Sequence, residues 1–257
     1  MYDKSELREV ADLLLDVAAA LMGAGSHTSR VVRNVSRMAQ SFGYEMFITI
    51  FQKNITMMVR KEGQVESITL VRSTKHMALN FNVVSELSSL SWHIHDEEIT
   101  IPQAREKFEA IMNTPRLSQW IVIPLVASAN ASFCRLFQGD WVSCCMVFVS
   151  TFIAFSIRQQ LMKRHLNHAV IFAIVAMVAS FIAGQALVFG WGETPNIAVA
   201  TSVLFLIPGV PLINSLMDLL EGHVLTGISR FVNATMLIIG IAIGFLATML
   251  ILGVEKF

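Results

Sequence analysis

The sequence predicts an α+β cytoplasmic domain followed by an all-α polytopic membrane domain with five transmembrane helices. Three observations carry that expectation. Of 257 residues, 54% are hydrophobic and only 15% charged, too apolar for a soluble domain of this length. Most of the charge lies before Trp120, so the composition shifts near residue 118 and divides the chain into 1–118 and 119–257. Apolar stretches at about 119–137, 141–161, 169–189, 197–217 and 231–252 then reach or approach the ~20 residues needed to cross hydrocarbon. Nineteen basic residues balance nineteen acidic ones, so no overall field recruits nucleic acid.

In the first part, Leu7, Val10, Ala11, Leu14, Ala18 and Leu21 recur at helical spacing, with Glu6, Arg8, Glu9, Asp12 and Asp16 on the other faces. An amphipathic helix is expected. The run Met22-Gly-Ala-Gly-Ser-His-Thr28 ends it, and Ser26 or Thr28 is placed to cap a second helix through Val31, Val32, Val35, Met38 and Ala39. Arg30, Arg33 and Arg37 ride on that helix, either to bind an anion or, more commonly for such spacing, to hold it in solvent. After Gly43, three β-branched and aromatic runs (44–52, 55–60 and 65–71) are separated by Lys53-Asn54 and Glu62-Gly63, which predicts a small antiparallel sheet. Further helices are expected over about 75–90 and, after the helix-starting Pro102, over 103–112. His93-Ile94-His95-Asp96 reads as a polar loop, because no further ligands at metal-site spacing accompany it. Neither a phosphate loop, a nucleophile elbow nor a paired-carboxylate signature is present, so the sequence predicts no enzyme, no cofactor and no metal.

In the second part, the loops Gln138-Gly-Asp140 and Gly190-Trp-Gly-Glu-Thr-Pro-Asn196 lack Lys and Arg, whereas Arg158, Lys163 and Arg164 lie between the second and third stretches. By the positive-inside rule the basic loop is cytoplasmic, and Arg105, Lys107 and Arg116 add to the same bias. The N-terminus, which lacks a signal-peptide pattern, is therefore expected in the cytoplasm and the C-terminus outside. Arg135 sits near the outer end of the first stretch, where snorkelling to the surface competes with facing a cavity. Gly240-x-x-x-Gly244 matches the small-residue packing motif of membrane helices. Cys134, Cys144 and Cys145 are expected to be buried thiols.

The most informative stretch is Ser202–Arg230. It begins as a membrane-grade apolar run but contains Pro208, Gly209 and Pro211, where prolines remove backbone donors and the helix should break. Freed backbone groups are tolerated in hydrocarbon only where protein or a polar cavity surrounds them. A half-helix restarting at or just after Pro211 would aim amides and a positive dipole end at the break, which suits a carboxylate. A proline-kinked span packed on its neighbours is the plainer alternative. Asn214 and Asp218 share a face, with Glu221 one turn on. Asp218 is placed either to exchange a proton or, as is Glu221, to pair with Arg230.

The turn at 23–31, the Phe42-Gly-Tyr44 entry to the sheet, Ile207-Pro-Gly-Val-Pro-Leu212, Asp218-Leu-Leu-Glu-Gly222 and Gly227-Ile-Ser-Arg230 together resemble the threonine/serine exporter (ThrE-type) family over nearly the whole chain. Length and span plan are similar to the larger protein of its split, two-protein form. The resemblance implies a smaller YjjB-like membrane subunit, a small carboxylate-bearing metabolite as cargo (succinate for the split form, threonine and serine for the single-chain form), a bacterial inner-membrane location and a higher oligomer. Substrate contacts would then fall on Pro208, Gly209, Val210, Pro211, Asn214, Asp218, Arg230 and Arg135. A membrane-anchored scaffold or sensor, working through residues 1–118, is the competing class.

Overall fold

The computed structural model describes residues 4–51, 53–74, 79–115, 117–164 and 166–253. Arg116, the tail Glu255-Lys-Phe257 and the first part of the helix expected over 75–90 lie outside them. The chain packs as two units, Met1–Pro115 with Val210–Val232, and Arg116–Gly209 with Asn233–Phe257. Residues 210–232, which composition assigns to the membrane part, thus pack with the amino-terminal part.

The first unit is organised around α1 (Lys4–Gly23). Its apolar residues are not confined to one stripe: Leu13, Leu15 and Val17 are as fully buried as Val10, Leu14 and Leu21. A helix enclosed on most sides must dispose of its charges, and Asp16 does so by pairing with Arg105 at 2.7 Å and with Arg72. α2 (Thr28–Ser41) follows the glycine turn, then β1 (Tyr44–Ile50), β2 (Asn54–Lys61) and β3 (Ser67–Ser73) form an antiparallel sheet in the order β1-β2-β3. The buried side chains Ile55, Met57 and Val59 alternate along β2, the period of a strand with one covered face.

α3 (Phe81–Glu97) starts after Asn80, whose side chain accepts the Val83 N–H, and runs on through His93-Ile-His-Asp96. The expected loop there is helix, because the stripe Val84, Leu87, Leu90 and Ile94 continues to be buried beneath it. His93 pairs with Glu97 one turn on, and among the described residues no cluster is suited to a metal. α4 (Ile101–Met112) begins two residues before the expected Gln103, with Pro102 in its first turn and the Gln103 side-chain oxygen accepting the Thr100 N–H.

The second unit contains α5 (Gln119–Leu136), α6 (Trp141–Met162), α7 (His168–Val188), the short α8 (Pro195–Thr201), a 3₁₀ turn at Leu204–Leu206 and the later part of α10 (Val224–Leu252). Among the described residues three helices, α6, α7 and α10, are long and apolar enough to cross a membrane, and the broken pair Pro195–Leu206 with Gly209–Leu220 makes a fourth if joined. The fifth expected crossing, α5, does not reach that level. It is 18 residues long, about 27 Å, and carries Asn130, Arg135 and three serines or glutamines along its length.

Packing between these helices is close. The Gly240 Cα sits where an added Cβ would lie 2.5 Å from the Ala169 carbonyl, and Gly244 crowds the Ala173 carbonyl in the same way, so α10 and α7 approach backbone to backbone. Ser180 and Thr248 hydrogen-bond across the same contact at 2.8 Å. Asn130 donates to the Thr151 hydroxyl and the Thr201 carbonyl, as expected for an uncharged polar group between apolar helices. Cys134 and Cys144 are buried, but Cys145 is exposed, because adjacent residues on a helix point 100° apart and only one of them meets the packed side.

Candidate functional site

The apolar run does break. The 3₁₀ turn ends at Leu206, Ile207 takes an extended conformation and Pro208 lies outside any helix. α9 (Gly209–Leu220) restarts at Gly209, earlier than the expected Pro211. This shift alters the chemistry of the break. Of the four donors that a helix start leaves without an intrahelical carbonyl, Gly209 gives its N–H to the Ile207 carbonyl at 2.8 Å and Pro211 has none. Of that first turn only the Val210 N–H is left over among the described residues, so the amide array expected at the break contracts.

α9 ends in a Schellman turn: the His223 N–H bonds the Asp218 carbonyl at 2.7 Å, the Gly222 N–H bonds that of Leu219, and Gly222 adopts a φ of +85°. The chain then reverses into α10. The two helices touch at Gly227, where an added Cβ would fall 2.9 Å from the Ser215 carbonyl and 2.8 Å from the Leu219 side chain. A glycine is needed at that crossing because no side chain fits between the two backbones.

This helix pair packs on the turn between α1 and α2 through a set of polar contacts. Asp218 is wholly buried, and its Oδ1 accepts the Thr28 N–H at 2.7 Å, so the carboxylate caps α2 from a distant part of the chain. Neither Ser26 nor Thr28 provides the expected cap, and His27 at the N-cap position makes no side-chain cap bond. The other oxygen, Oδ2, lies 3.1 Å from Arg230 Nη1, in a pair that solvent scarcely reaches. Arg230 Nη2 donates in turn to the Ser26 carbonyl at 3.0 Å, and Asn214 Nδ2 donates to the Gly25 carbonyl at 2.7 Å. Thus a carboxylate, an amide and a guanidinium from 214–230 serve the donors and acceptors of residues 25–28.

Four residues that sequence reasoning passed over complete the junction. His27 Nε2 lies 3.9 Å from Glu221 Oε2, His223 Nε2 lies 3.1 Å from Ser29 Oγ, and the Thr226 hydroxyl donates to the Ile50 carbonyl at 2.7 Å. Gly25, with a φ of +98° and Leu79 where a Cβ would stand, fixes the turn. Burial pushes the His27 imidazole below its ordinary value, outweighing the opposing pull of Glu221. For Gly25 and His27 the signal is the Gly-Ala-Gly-Ser-His-Thr run itself, which locally spells only a helix stop and start; for His223 and Thr226 the sequence carries none.

The expected site residues therefore divide. Asn214, Asp218 and Arg230 converge on the 25–28 turn, and Val210 and Pro211 open the helix that carries two of them. Pro208 and Gly209 form the break. Arg135 belongs elsewhere: its Nη1 donates to the Gly139 carbonyl at 2.9 Å and its guanidinium lies over Trp141, so it closes the end of its own helix.

Comparison with known proteins is informative at this point. A family model described as "Putative threonine/serine exporter" matches residues 12–252. The chain is 31% identical over 244 residues to the Klebsiella aerogenes protein named "Probable succinate transporter subunit YjjP", covering 94% of this chain and 93% of the relative. The Escherichia coli K12 protein of the same name is 30% identical, with 92% of each chain covered. A Mycobacterium tuberculosis "Probable threonine/serine exporter" is 24% identical over 95% of this chain but only 46% of its own length. No solved structure matches. Two of the stretches that carry the resemblance, the turn at 23–31 and the part of 207–230 from Asn214 on, meet in the Asp218–Arg230 junction, and the chain belongs to the threonine/serine exporter family.

Proposed function

We propose that the chain is a subunit of a bacterial inner-membrane exporter of small carboxylates, succinate first among them, and that it works with a smaller YjjB-like membrane subunit in a higher oligomer. The full-length match to two relatives named as succinate transporter subunits supports the cargo. Coverage of less than half of the Mycobacterium tuberculosis exporter supports the second subunit, which would supply the remainder. In this reading α5 is the first of five crossings, residues 1–118 and the N-terminus are cytoplasmic and the C-terminus is periplasmic. The exposed apolar face of Ile213, Leu216, Leu220, Leu225 and Ile228 on α9 and α10 needs cover from lipid or from that partner.

The observation that carries the reading is the buried Asp218 carboxylate, carried by the helix that follows a broken apolar run and held by Arg230 and by the amino end of α2. An arginine fork and helix amides are the groups a transported carboxylate requires. Asp218 acts as an internal stand-in for cargo. A dicarboxylate displaces it from Arg230 with one end and turns the other toward the amino end of α9 at Val210, while Asn214 orients it. Arg135, engaged with Gly139, has no such part. An amino acid would instead need a free acid for its ammonium, and the engagement of Asp218 by Arg230 favours the dicarboxylate.

The test is efflux from preloaded cells lacking this chain, its smaller partner or both, with succinate, threonine and serine measured side by side. Succinate efflux is expected to fail equally in all three strains. Unchanged efflux of all three compounds would replace transport with the scaffold class.

A further inference from the structure

A second polar feature of the first unit shares no residue with the Asp218–Arg230 junction. Arg30, Arg33 and Arg37 lie along one face of α2 and, with Phe81, Val84 and Ser85 of α3, line an open cleft of about 500 Å³. Like charges three and four residues apart on a helix repel one another. Among the described residues neither Arg30 nor Arg33 has an ion-pair or hydrogen-bond partner, and no carboxylate lines the cleft.

A solvated face does not account for Arg37. Its Nη1 donates to Ser91 Oγ at 2.6 Å and to Asn34 Oδ1 at 3.3 Å, and its guanidinium carbon stands 3.6 Å from the centre of the Trp92 ring. Asn34 is itself fixed by Ser88 at 3.0 Å and Ser91 at 3.1 Å. Burial and the neighbouring Arg33 charge both push the Arg37 guanidinium down, partly offset by Asp96. One cation is thus locked into the floor of the cleft while two beside it stay free, an arrangement that costs self-repulsion and that a bound anion would relieve.

We propose that this cleft binds a small molecule through a phosphate monoester. Such a group carries nearly two negative charges and three acceptor oxygens, which match three guanidinium groups better than a single carboxylate does. Phe81, 59% exposed, and Val84 offer an apolar wall to the organic body, and the volume suits a ligand of nucleotide size. The phosphate can come from a free metabolite or from a lipid headgroup.

Isothermal titration of the detergent-purified full chain separates the sources, with adenosine monophosphate, inorganic phosphate, short-chain phosphatidic acid and succinate as probes. Adenosine monophosphate or phosphatidic acid should bind, whichever is tighter naming the source, with inorganic phosphate competing and added salt weakening the complex. The double variant Arg30→Gln/Arg33→Gln, at exposed positions without partners, should weaken binding at least tenfold with an unchanged melting temperature. Failure of both phosphate monoesters to bind, binding that survives the double substitution, or succinate binding as tightly at this cleft would each overturn the proposal.

Discussion

One helix, α10, is held in two different ways along its length. Its first turns, Val224–Val232, belong to the first unit and are fixed by charge and directed hydrogen bonds: Arg230 to Asp218 and Ser26, Thr226 to Ile50. Its later turns belong to the second unit and are fixed by the absence of side chains, Gly240 and Gly244 lying against the α7 backbone. The polar end is held by charge and directed bonds that a competing ligand could replace, whereas the glycine contact is held by backbone fit.

The largest effect should come from splitting the ion pair. Asp218→Ala leaves Arg230 buried without its carboxylate and removes the α2 cap, a loss of about 3–5 kcal/mol, read as a fall in melting temperature of the purified full chain. The paired change Asp218→Leu/Arg230→Met should recover most of it, since an apolar pair of similar volume avoids the desolvation cost. No such rescue is expected at the glycine contact. Gly244→Val drives atoms into the Ala173 carbonyl and should cost about 1–3 kcal/mol or more, with loss of any engineered cross-link between α7 and α10.

Smaller effects sharpen the same comparison. Asp140 caps α6 by accepting the Ser143 N–H, and also accepts the Glu193 N–H and the Thr194 hydroxyl; these bonds hold its carboxyl well below the usual carboxylate range. Asp140→Ala should cost about 1 kcal/mol. In the parent chain the contribution is present above the unfolded carboxyl range and fades only in strong acid, as the pH falls through the depressed value.

The smallest effect concerns His27, faced by Glu221, Asp218, Arg30 and Arg33. Its folded value lies below the ordinary 6.5, so on acidification the unfolded chain takes up the proton first. Stability at this position is therefore complete above about pH 6.5 and declines below it. Melting temperature plotted against pH should fall less steeply on the acid side for His27→Gln than for the parent.

Much of the fold was legible because its signals are local. Hairpin separators at 53–54 and 62–63, the apolar periodicity of α1 and α2, and the run broken at Pro208 each depend on neighbours in sequence. What escaped was long-range. Nothing beside Thr28 announces that its N–H is capped by Asp218, and His93-Ile94-His95-Asp96 read as a loop because its polar residues obscured an apolar stripe that ends at Ile94. In the site, the pairing of Asp218 with Arg230 was one of two readings open to the sequence. The roles of His27, His223 and Thr226 required knowing that residues 25–50 and 214–230 meet. Asp140 does lie in the loop before α6, as expected; its role as the N-cap was legible from an Asp followed by an apolar run, but its bonds to Glu193 and Thr194 were not.

The central claim is that Asp218 occupies the seat of a transported carboxylate. Succinate-dependent thermal stabilisation of the full chain, compared between the parent and Asp218→Asn, tests it most directly. The isosteric amide removes the competing charge and leaves Arg230 to the ligand, so the variant should be less stable alone yet gain more from succinate, with half-maximal stabilisation at least tenfold lower in concentration. If succinate stabilises the parent and the variant equally, or neither, Asp218 is a structural cap and the transport site lies elsewhere.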